Sequence, residues 1–226
     1  MCYTHIMERM DDLQHNGLVL YQDTDYACFN ADALLLTGFL RLTQRDTVAE
    51  LGSGTGVVCV LGADNTGARF TGVERQACLV ELAQKSVAKN GQEIRFLCAD
   101  VADAPELLGR GAFSAVVMNP PYFTSGEESP NRSRSAARHD DGDTLRLFLR
   151  AAFQLLNNGG RLFAIYPADA LATLINALCT ERLEPKRMRP VYSGGQKNAL
   201  RVLVEAKKHA KPGLMIEPPE HIKNIP

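Results

Sequence analysis

The run Asn119, Pro120, Pro121, Tyr122 carries the clearest chemical signal in the chain. An asparagine side-chain carbonyl and a proline backbone carbonyl can each accept one N–H bond of a planar amino group, and a tyrosine ring can stack on its plane. Such a nitrogen is a poor nucleophile because its lone pair is delocalised, so alignment with an electrophile such as a sulfonium methyl is the main help a protein can give. Asparagine cannot take the proton, so no strong general base is required. We predict that residues 119–122 hold an amino group for in-line attack.

Two consecutive prolines also end a strand for purely structural reasons. That alternative explains the prolines, but it leaves the flanking amide and aromatic ring unexplained at the carboxyl end of a parallel strand, where ligands bind in such sheets.

A second motif, Gly52, Gly54 and Gly56, follows an apolar strand and precedes an apolar helix start. Glycines here permit a tight turn and let backbone amides approach a ligand. The spacing is GxGxG, with Val57 where a dinucleotide site would need a third glycine, and no lysine follows as in a phosphate-binding loop. On its own the motif is equally consistent with a structural turn.

Two carboxylates follow the next two strands. Glu74 can accept the hydroxyls of a ribose, and Asp100 can accept a proton from the exocyclic amine of an adenine. Each alone is more often a solvated loop carboxylate, but after a glycine loop the pair indicates a pocket shaped for adenosine. Together with Glu50 they give a negative lining, which suits a ligand with positive charge and disfavours a pyrophosphate.

Short apolar runs alternate with helical patterns and position these motifs. We predict strands at 47–51, 69–73, 94–98, 113–118, 161–166, 184–191 and 200–206. Helices are predicted at 76–90, with Leu79, Leu82, Ala83 and Val87 buried, and at 144–156, with Leu145, Phe148, Leu149, Ala152 and Leu155 buried. Strand and helix in alternation predict an α/β, doubly wound, mostly parallel sheet with helices on both faces.

The flanks depart from this alternation. Residues 17–22 and 28–29 are predicted to form a hairpin ahead of a helix that Asn30 or Asp32 caps, with Ala33, Leu34, Leu36 and Leu40 buried. Residues 123–143 are predicted to form a mobile polar loop of the kind that binds or covers a ligand. The expected organisation is an extension at 1–42 over the ligand site, a main domain at 43–211 and a tail at 212–226.

The composition of the chain indicates which kinds of binding partner are expected. The 226 residues are 45% apolar with a net charge of -1, so no global field attracts nucleic acid or membrane. Residues 181–211, however, hold nine basic and three acidic residues, a local charge of +6. A solvated face is the default interpretation of that segment, and a phosphate contact is the alternative. The six cysteines form no CxxC pair, and no apolar run reaches the ~20 residues of a membrane span, so we expect a cytoplasmic protein with reduced thiols, no metal and no membrane contact.

Taken in order, these motifs resemble those of class I S-adenosylmethionine-dependent methyltransferases with an NPPY motif. Residues 26–36 (YACFNADALLL), 137–140 (ARHD) and 201–207 (RVLVEAK) are similar to segments of the bacterial tRNA1(Val) (adenine-N6)-methyltransferases. The resemblance implies a Rossmann-like, seven-stranded sheet whose last strand is antiparallel. It also implies that Phe29 and Asp32 lie over S-adenosylmethionine, that Glu50 and the glycines hold its methionine part, and that residues 119–122 hold the target base, with Asn119 touching both ligands.

The expected reaction is therefore N6-methylation of an adenine in tRNA, beside the anticodon. Six residues are candidate RNA contacts: Arg132, Arg134, Arg138, Lys207, Lys208 and Lys211. The four-residue motif would serve other planar nitrogens equally, so a guanine N2 or adenine N6 of rRNA and a protein glutamine remain alternatives. Two other classes are a catalytically silent RNA-binding module, which would not need to clamp an amine, and a nicotinamide oxidoreductase, which Val57 opposes.

Overall fold

The alternating apolar runs form one large sheet with helices on both faces in the computed structural model of the chain. The structure describes residues 8–23, 31–120 and 141–222, and the side chains of 141–143 are outside this description.

The elements follow the predicted alternation closely. The strands are β1 (Glu8–Asp12), β2 (Val19–Asp23), β3 (Thr47–Leu51), β4 (Arg69–Glu74), β5 (Arg95–Cys98), β6 (Phe113–Met118), β7 (Leu156–Pro167), β8 (Leu183–Ser193), β9 (Arg201–Lys208), β10 (Met215–Ile216) and β11 (Glu220–Ile222). The helices are α1 (Ala31–Phe39), α2 (Val57–Thr66), α3 (Ala77–Asn90), α4 (Ala104–Leu108), α5 (Asp141–Leu155) and α6 (Leu171–Thr180), with a 3-10 turn at Ala168–Ala170.

The main sheet has nine strands in the order β10, β8, β9, β7, β6, β3, β4, β5, with β11 also paired to β8. Strands β7, β6, β3, β4 and β5 are parallel to one another, and β9 runs antiparallel to both β7 and β8. The expected seven-stranded sheet with an antiparallel last strand is therefore confirmed. The tail adds β10 and β11, which both pair parallel with β8 and cover its outer edge.

Apolar side chains bury the two faces of the sheet separately. Helices α5 and α6 cover one face, where Leu149 and Leu155 are fully buried. Helices α1, α2 and α3 cover the other, where Phe39 packs edge-on against Phe163. All the residues predicted as the buried stripes of the helices at 76–90 and 144–156 are buried.

The expected N-terminal hairpin and helix are present, and two details of the helix need correction. β2 pairs with β1 in this hairpin, and the predicted partner residues 28–29 lie outside the described residues. The side chains of β1 are mostly exposed, so no apolar alternation marked it; backbone pairing and the Lys85–Glu8 ion pair hold it in place. Leu34, predicted as buried, is 45% exposed, and Asp32 lies inside the first turn of α1 rather than at its cap.

The predicted loop at 123–143 also needs correction, because residues 141–143 belong to α5. Its remaining residues, 123–140, lie outside the described part of the chain.

None of the helices in the described residues is both long and apolar enough to cross a membrane. Within the same ranges, Cys59, Cys78, Cys98 and Cys179 are free thiols, and no cluster of His, Cys, Asp or Glu side chains could hold a metal ion.

Candidate active site

The strand register brings the predicted motifs to one edge of the sheet. Leu51 pairs with both Val73 and Met118, and Val73 pairs with Leu97, so the ends of four strands lie in one row. The next residues beyond this row are the first glycine of the loop, the acidic end of β4 and the first residue of the NPPY motif. Parallel strands thus place Gly52, Glu74 and Asn119 side by side at their carboxyl ends, where ligands bind in open α/β sheets.

The glycine loop is a tight turn whose amides bond back onto the sheet. The N–H groups of Gly52 and Ser53 both donate to the carbonyl of Val73, at 2.9 and 3.0 Å, and the N–H of Gly56 donates to the carbonyl of Ser53 at 2.8 Å. All three glycines have positive φ, +69°, +52° and +85° at Gly52, Gly54 and Gly56, which other residues adopt at a cost of about 1–2 kcal/mol.

The surroundings of these glycines differ. A Cβ on Gly56 would stand 2.6 Å from the Phe96 ring, so this position must be glycine for the loop to pack. A Cβ on Gly54 would meet nothing within 4 Å, although that N–H group is fixed by a 3.1 Å bond to Glu74 Oε2. Space beside Gly54 is therefore open to a ligand, which is the observation that fits a bound cofactor.

Glu50 is buried beneath the loop. Its Oε2 accepts the N–H of Cys59 at 3.0 Å, which satisfies one of the free amides in the first turn of α2 and places a carboxylate at the positive end of that helix. Burial raises the pKa of Glu50 to about 8, and the charge of Glu74 adds to this, while bonds from the amide and thiol of Cys59 oppose it. Among the described residues, no cation pairs with Glu50.

Glu74 ends β4 with both carboxylate oxygens in use. One accepts the Gly54 amide and the other accepts the Gln76 amide at 2.9 Å. Each oxygen retains a second acceptor position, because a carboxylate oxygen can accept two hydrogen bonds. The carboxylate is therefore held rigidly while still able to accept two hydroxyl groups.

Asp100 and Asn119 complete the edge. Asp100 is exposed, with Oδ1 accepting the Ala102 amide at 2.9 Å and Oδ2 facing no described donor. Asn119 is half-buried directly after β6, and Pro120 is buried behind it. The described edge thus offers acceptors at three consecutive strand ends, as an adenosine and an amino group would need.

Asp32 lies at the same edge and forms an ion pair within the protein. It is 1% exposed, and its Oδ2 accepts a 2.9 Å bond from Nε of Arg201, the first residue of β9. Arg201 pairs in register with Pro167, the last residue of β7. The ion pair therefore fastens the first turn of α1 to the carboxyl edge of the sheet, a role of Arg201 that no sequence pattern indicates.

The candidate RNA contacts at Lys207, Lys208 and Lys211 lie elsewhere. Because β9 is antiparallel, it begins at the Asn119 edge and ends at the opposite one, and Lys207 pairs with Arg161 near the start of the β7 ladder. Nζ of Lys208 donates to the carbonyls of Phe153 and Leu156 at 2.7 Å each. Contact between these lysines and RNA stays a prediction, but it would need a second surface, about 20 Å from Arg201.

Several predicted site residues lie outside the described ranges. They are Phe29, Pro121, Tyr122, Arg132, Arg134 and Arg138. Their predicted roles remain predictions.

Gly72 is a site residue that the sequence analysis missed. A Cβ there would come within 2.4 Å of the Phe96 ring and 2.8 Å of Ser53 Oγ, so only glycine lets β4 pass beneath the loop. The available signal was a glycine inside a strand, which often marks a close approach of another chain segment.

Comparison with known proteins agrees with this geometry. Residues 29–173 match the profile of the family described as methyltransferase small domain. The chain belongs to this family. The matched range of the methyltransferase small domain contains the glycine loop, Glu74, Asp100 and Asn119.

Curated relatives carry a more specific name. The chain is 32% identical over 161 residues to a tRNA1(Val) (adenine(37)-N6)-methyltransferase of Porphyromonas gingivalis, a match covering 69% of this chain and 63% of that protein. A protein of the same name from Shewanella halifaxensis is 28% identical, with 68% and 63% covered. The chain therefore spans less than two thirds of the length of these relatives.

Solved structures share the fold of this methyltransferase small domain protein. A predicted O-methyltransferase from Agrobacterium tumefaciens superposes with a TM-score of 0.68 at 25% identity, covering 84% of this chain and 86% of that one. A 16S rRNA guanine-N2 methyltransferase from T. thermophilus superposes with a TM-score of 0.64 at 19% identity, covering 92% and 52%. At that identity the second likeness concerns the fold alone.

Proposed function

We propose that this protein transfers a methyl group from S-adenosylmethionine to the N6 amino group of an adenine in tRNA. The observation that carries the proposal is the row of strand ends that sets Gly52, Glu74 and Asn119 side by side. The names of the curated relatives support the substrate. The free thiols of the described residues are consistent with a reaction in the cytoplasm.

The cofactor fits the residues present. The open space at Gly54 admits its methionine part, and Glu74 has two acceptor positions left for the ribose hydroxyls. Glu50 gives the site a buried acid whose ionisation a nearby ammonium group would favour. When bound, S-adenosylmethionine supplies an electrophilic methyl group on a sulfonium.

Asn119 and Pro120 would orient the nucleophile. Their two carbonyl oxygens accept the two N–H bonds of the adenine amine, which turns the nitrogen lone pair toward the methyl carbon. With S-adenosylmethionine bound, the nitrogen held by Asn119 and Pro120 would form the new N–C bond as the S–C bond breaks, and the bonding electrons would leave with the sulfur as a thioether. The nitrogen then carries a positive charge and loses one proton to water, so no general base has to act beforehand.

Substitution of the amide tests this proposal. We expect Asn119→Ala to lower kcat on tRNA by about a hundredfold or more, because alignment is lost, and to leave the affinity for S-adenosylhomocysteine unchanged in calorimetry. Asn65→Ala, on the exposed surface of α2, is the matched control and should behave as the wild type. Mass spectrometry of the nucleosides identifies the product.

Three results would contradict the proposal. They are a guanine-N2 product, methylation of protein but not of tRNA, and full turnover by the Asn119→Ala variant. Absence of cofactor binding by the wild-type chain would contradict it at an earlier step.

A further inference from the structure

The connection between β8 and β9 lies at the same edge of the sheet as Asn119. β8 runs parallel to β7, so it ends at the carboxyl edge, and residues 194–200 link it to the start of β9 there. The carbonyl of Leu200 accepts the amide of Ala168 at 3.2 Å, which joins this connection to the residue that follows β7. The basic segment 181–211 therefore reaches both edges of the sheet. Residues 194–200 lie at the edge of the site, whereas Lys207, Lys208 and Lys211 lie at the opposite edge.

Most cations of this segment are already engaged within the protein. Arg187 pairs with Glu205 and Glu217, Arg189 with Glu217 and Glu220, and Arg201 with Asp32. Lys197 differs, because it is exposed in the β8–β9 connection and no described carboxylate pairs with it. It is thus a cation at the catalytic edge that remains available to an external anion.

An aromatic pair lies at the end of β8, and its first member precedes Lys197 by five residues. Tyr192, near the end of β8, stacks on His221 of β11, with ring centroids 5.5 Å apart and planes inclined by 23°. Register pairs these two residues across the strands, and His221 is exposed while Tyr192 is half-buried. The amide of Gly194 donates to the carbonyl of Ile222 at 3.0 Å, which ties the start of the connection to the end of β11.

This arrangement is a small platform: an aromatic stack with one exposed ring at the end of β8, followed five residues later in the chain by an exposed lysine in a glycine-containing turn that no described carboxylate pairs with. Single-stranded RNA is bound by such combinations, because a base stacks on the ring while the adjacent phosphate meets the cation. Along the edge, β6 and β8 are three strand spacings apart, or about 14 Å. A strand with its target base at Asn119 can bridge that distance with a few nucleotides.

We propose that Tyr192, His221 and Lys197 form a second contact for the RNA strand that carries the target adenine, in which an unpaired flanking base stacks on the aromatic pair and a backbone phosphate meets Lys197. This inference rests on the proposed function for the identity of the RNA. The C-terminal strand β11 then contributes directly to substrate binding by supplying His221.

Binding of unmodified tRNA to the full chain tests the platform without requiring turnover. We expect His221→Ala and Tyr192→Ala each to weaken tRNA binding by about tenfold, since loss of a base stack costs about 1–3 kcal/mol. Lys197→Ala should lower the slope of log K against log salt by about 1. In steady state, these variants raise KM for tRNA and leave kcat and the affinity for S-adenosylhomocysteine unchanged.

Two controls separate binding from structure. Tyr192→Phe keeps the stack and should bind tRNA as the wild type does, and Lys89→Ala, exposed in the last turn of α3, should leave affinity unchanged. Thermal unfolding of each variant shows whether β11 has detached. Normal binding by a folded His221→Ala variant, or equal losses from Lys197→Ala and Lys89→Ala, would overturn the platform alone. A wild-type chain that binds no tRNA would overturn the proposed function as well.

Discussion

Two buried glutamates in different regions have pKa values that are shifted in opposite directions. Glu50, 3% exposed below the glycine loop, has a pKa raised to about 8, chiefly by burial. Glu217 is 9% exposed in the tail segment between β10 and β11, and burial acts to raise its pKa too. Hydrogen bonds from Arg189 and the charges of Arg187 and Arg189 outweigh that effect, and the pKa of Glu217 is lowered.

The groups around each carboxylate explain why the two pKa values shift in opposite directions. Glu217 accepts bonds from Arg41, Arg187 and Arg189, so its charge is balanced inside the protein and holds the tail against β8. Arg187 also lies 3.6 Å from the centroid of the Phe39 ring, which extends the same network to α1. Within the described parts of the chain, the donors to Glu50 are the amide and the thiol of Cys59. The charge of Glu217 is balanced by arginines of the protein itself. Glu50 lies where a cationic ligand would supply the balancing charge.

The largest expected effect follows from removing the central anion of the tail. Glu217→Ala leaves Arg187, whose side chain is 5% exposed, with Glu205 as its remaining described anion. We expect a loss of about 3 kcal/mol in the free energy of unfolding by chemical denaturation, because breaking a buried ion pair strands a desolvated charge. The control is Glu220→Ala, whose carboxylate is 42% exposed and should cost less than about 1 kcal/mol.

Lowering the pH should reproduce part of this loss in the free energy of unfolding in the wild type. Because the folded-state pKa of Glu217 lies below the ordinary 4.5, its contribution is complete above pH 4.5 and disappears as the pH falls through the folded value. The Glu217→Ala variant should therefore lose less stability than the wild type on acidification below pH 4.5. Identical acid profiles would show that the arginines do not depend on this carboxylate.

Substitution of glycines with positive φ should have a smaller effect on stability, and only in the glycine loop should it also weaken ligand binding. Gly54 and Gly111 both have positive φ, +52° and +70°, and a Cβ on either would meet nothing within 4 Å. Alanine at each should cost about 1–2 kcal/mol of stability through backbone strain alone. Only Gly54→Ala should also weaken binding of S-adenosylhomocysteine, by tenfold or more, since the methyl group would occupy the ligand space. Equal affinities in the two variants would place the ligand elsewhere.

The comparison also shows why the sequence predicted one region better than the other. Gly52, Gly56, Glu74 and Asn119 could be placed because apolar strands, glycines and strand-end acids are local signals, and parallel register carries them to one edge. The buried faces of α3 and α5 followed from helical periodicity for the same reason.

The tail could not be placed in this way. Its strands β10 and β11 are two and three residues long, and Met215 and Ile216 are more than half exposed, so no apolar alternation marks them. What holds the tail is a set of arginine–carboxylate pairs between residues 28 to 176 positions apart in the sequence. The spacing of charged residues does not reveal such pairs, so the sequence could not show which cations of 181–211 are paired within the protein.

The smallest expected effect is a transfer of less than one proton at Glu50. In the cofactor-free protein at pH 7, a carboxyl with a pKa of about 8 is mainly protonated. A bound ligand that carries an ammonium group lowers that pKa, so binding of S-adenosylhomocysteine should release a fraction of a proton at pH 7. Calorimetry in buffers with different ionisation enthalpies measures this release, which should vanish well above pH 8, where Glu50 is already ionised.

Glu50→Gln should abolish this proton release, whereas Glu93→Gln, on the exposed surface, should leave it intact. Equal proton release from the wild type and the Glu50→Gln variant would contradict the assignment, because the titrating group would then lie elsewhere. It would also remove the contrast with Glu217, since Glu50 would be a buried neutral acid that caps α2 and takes no part in ligand binding. A release that depends on Glu50 would instead identify it as the carboxylate whose countercharge comes from the ligand.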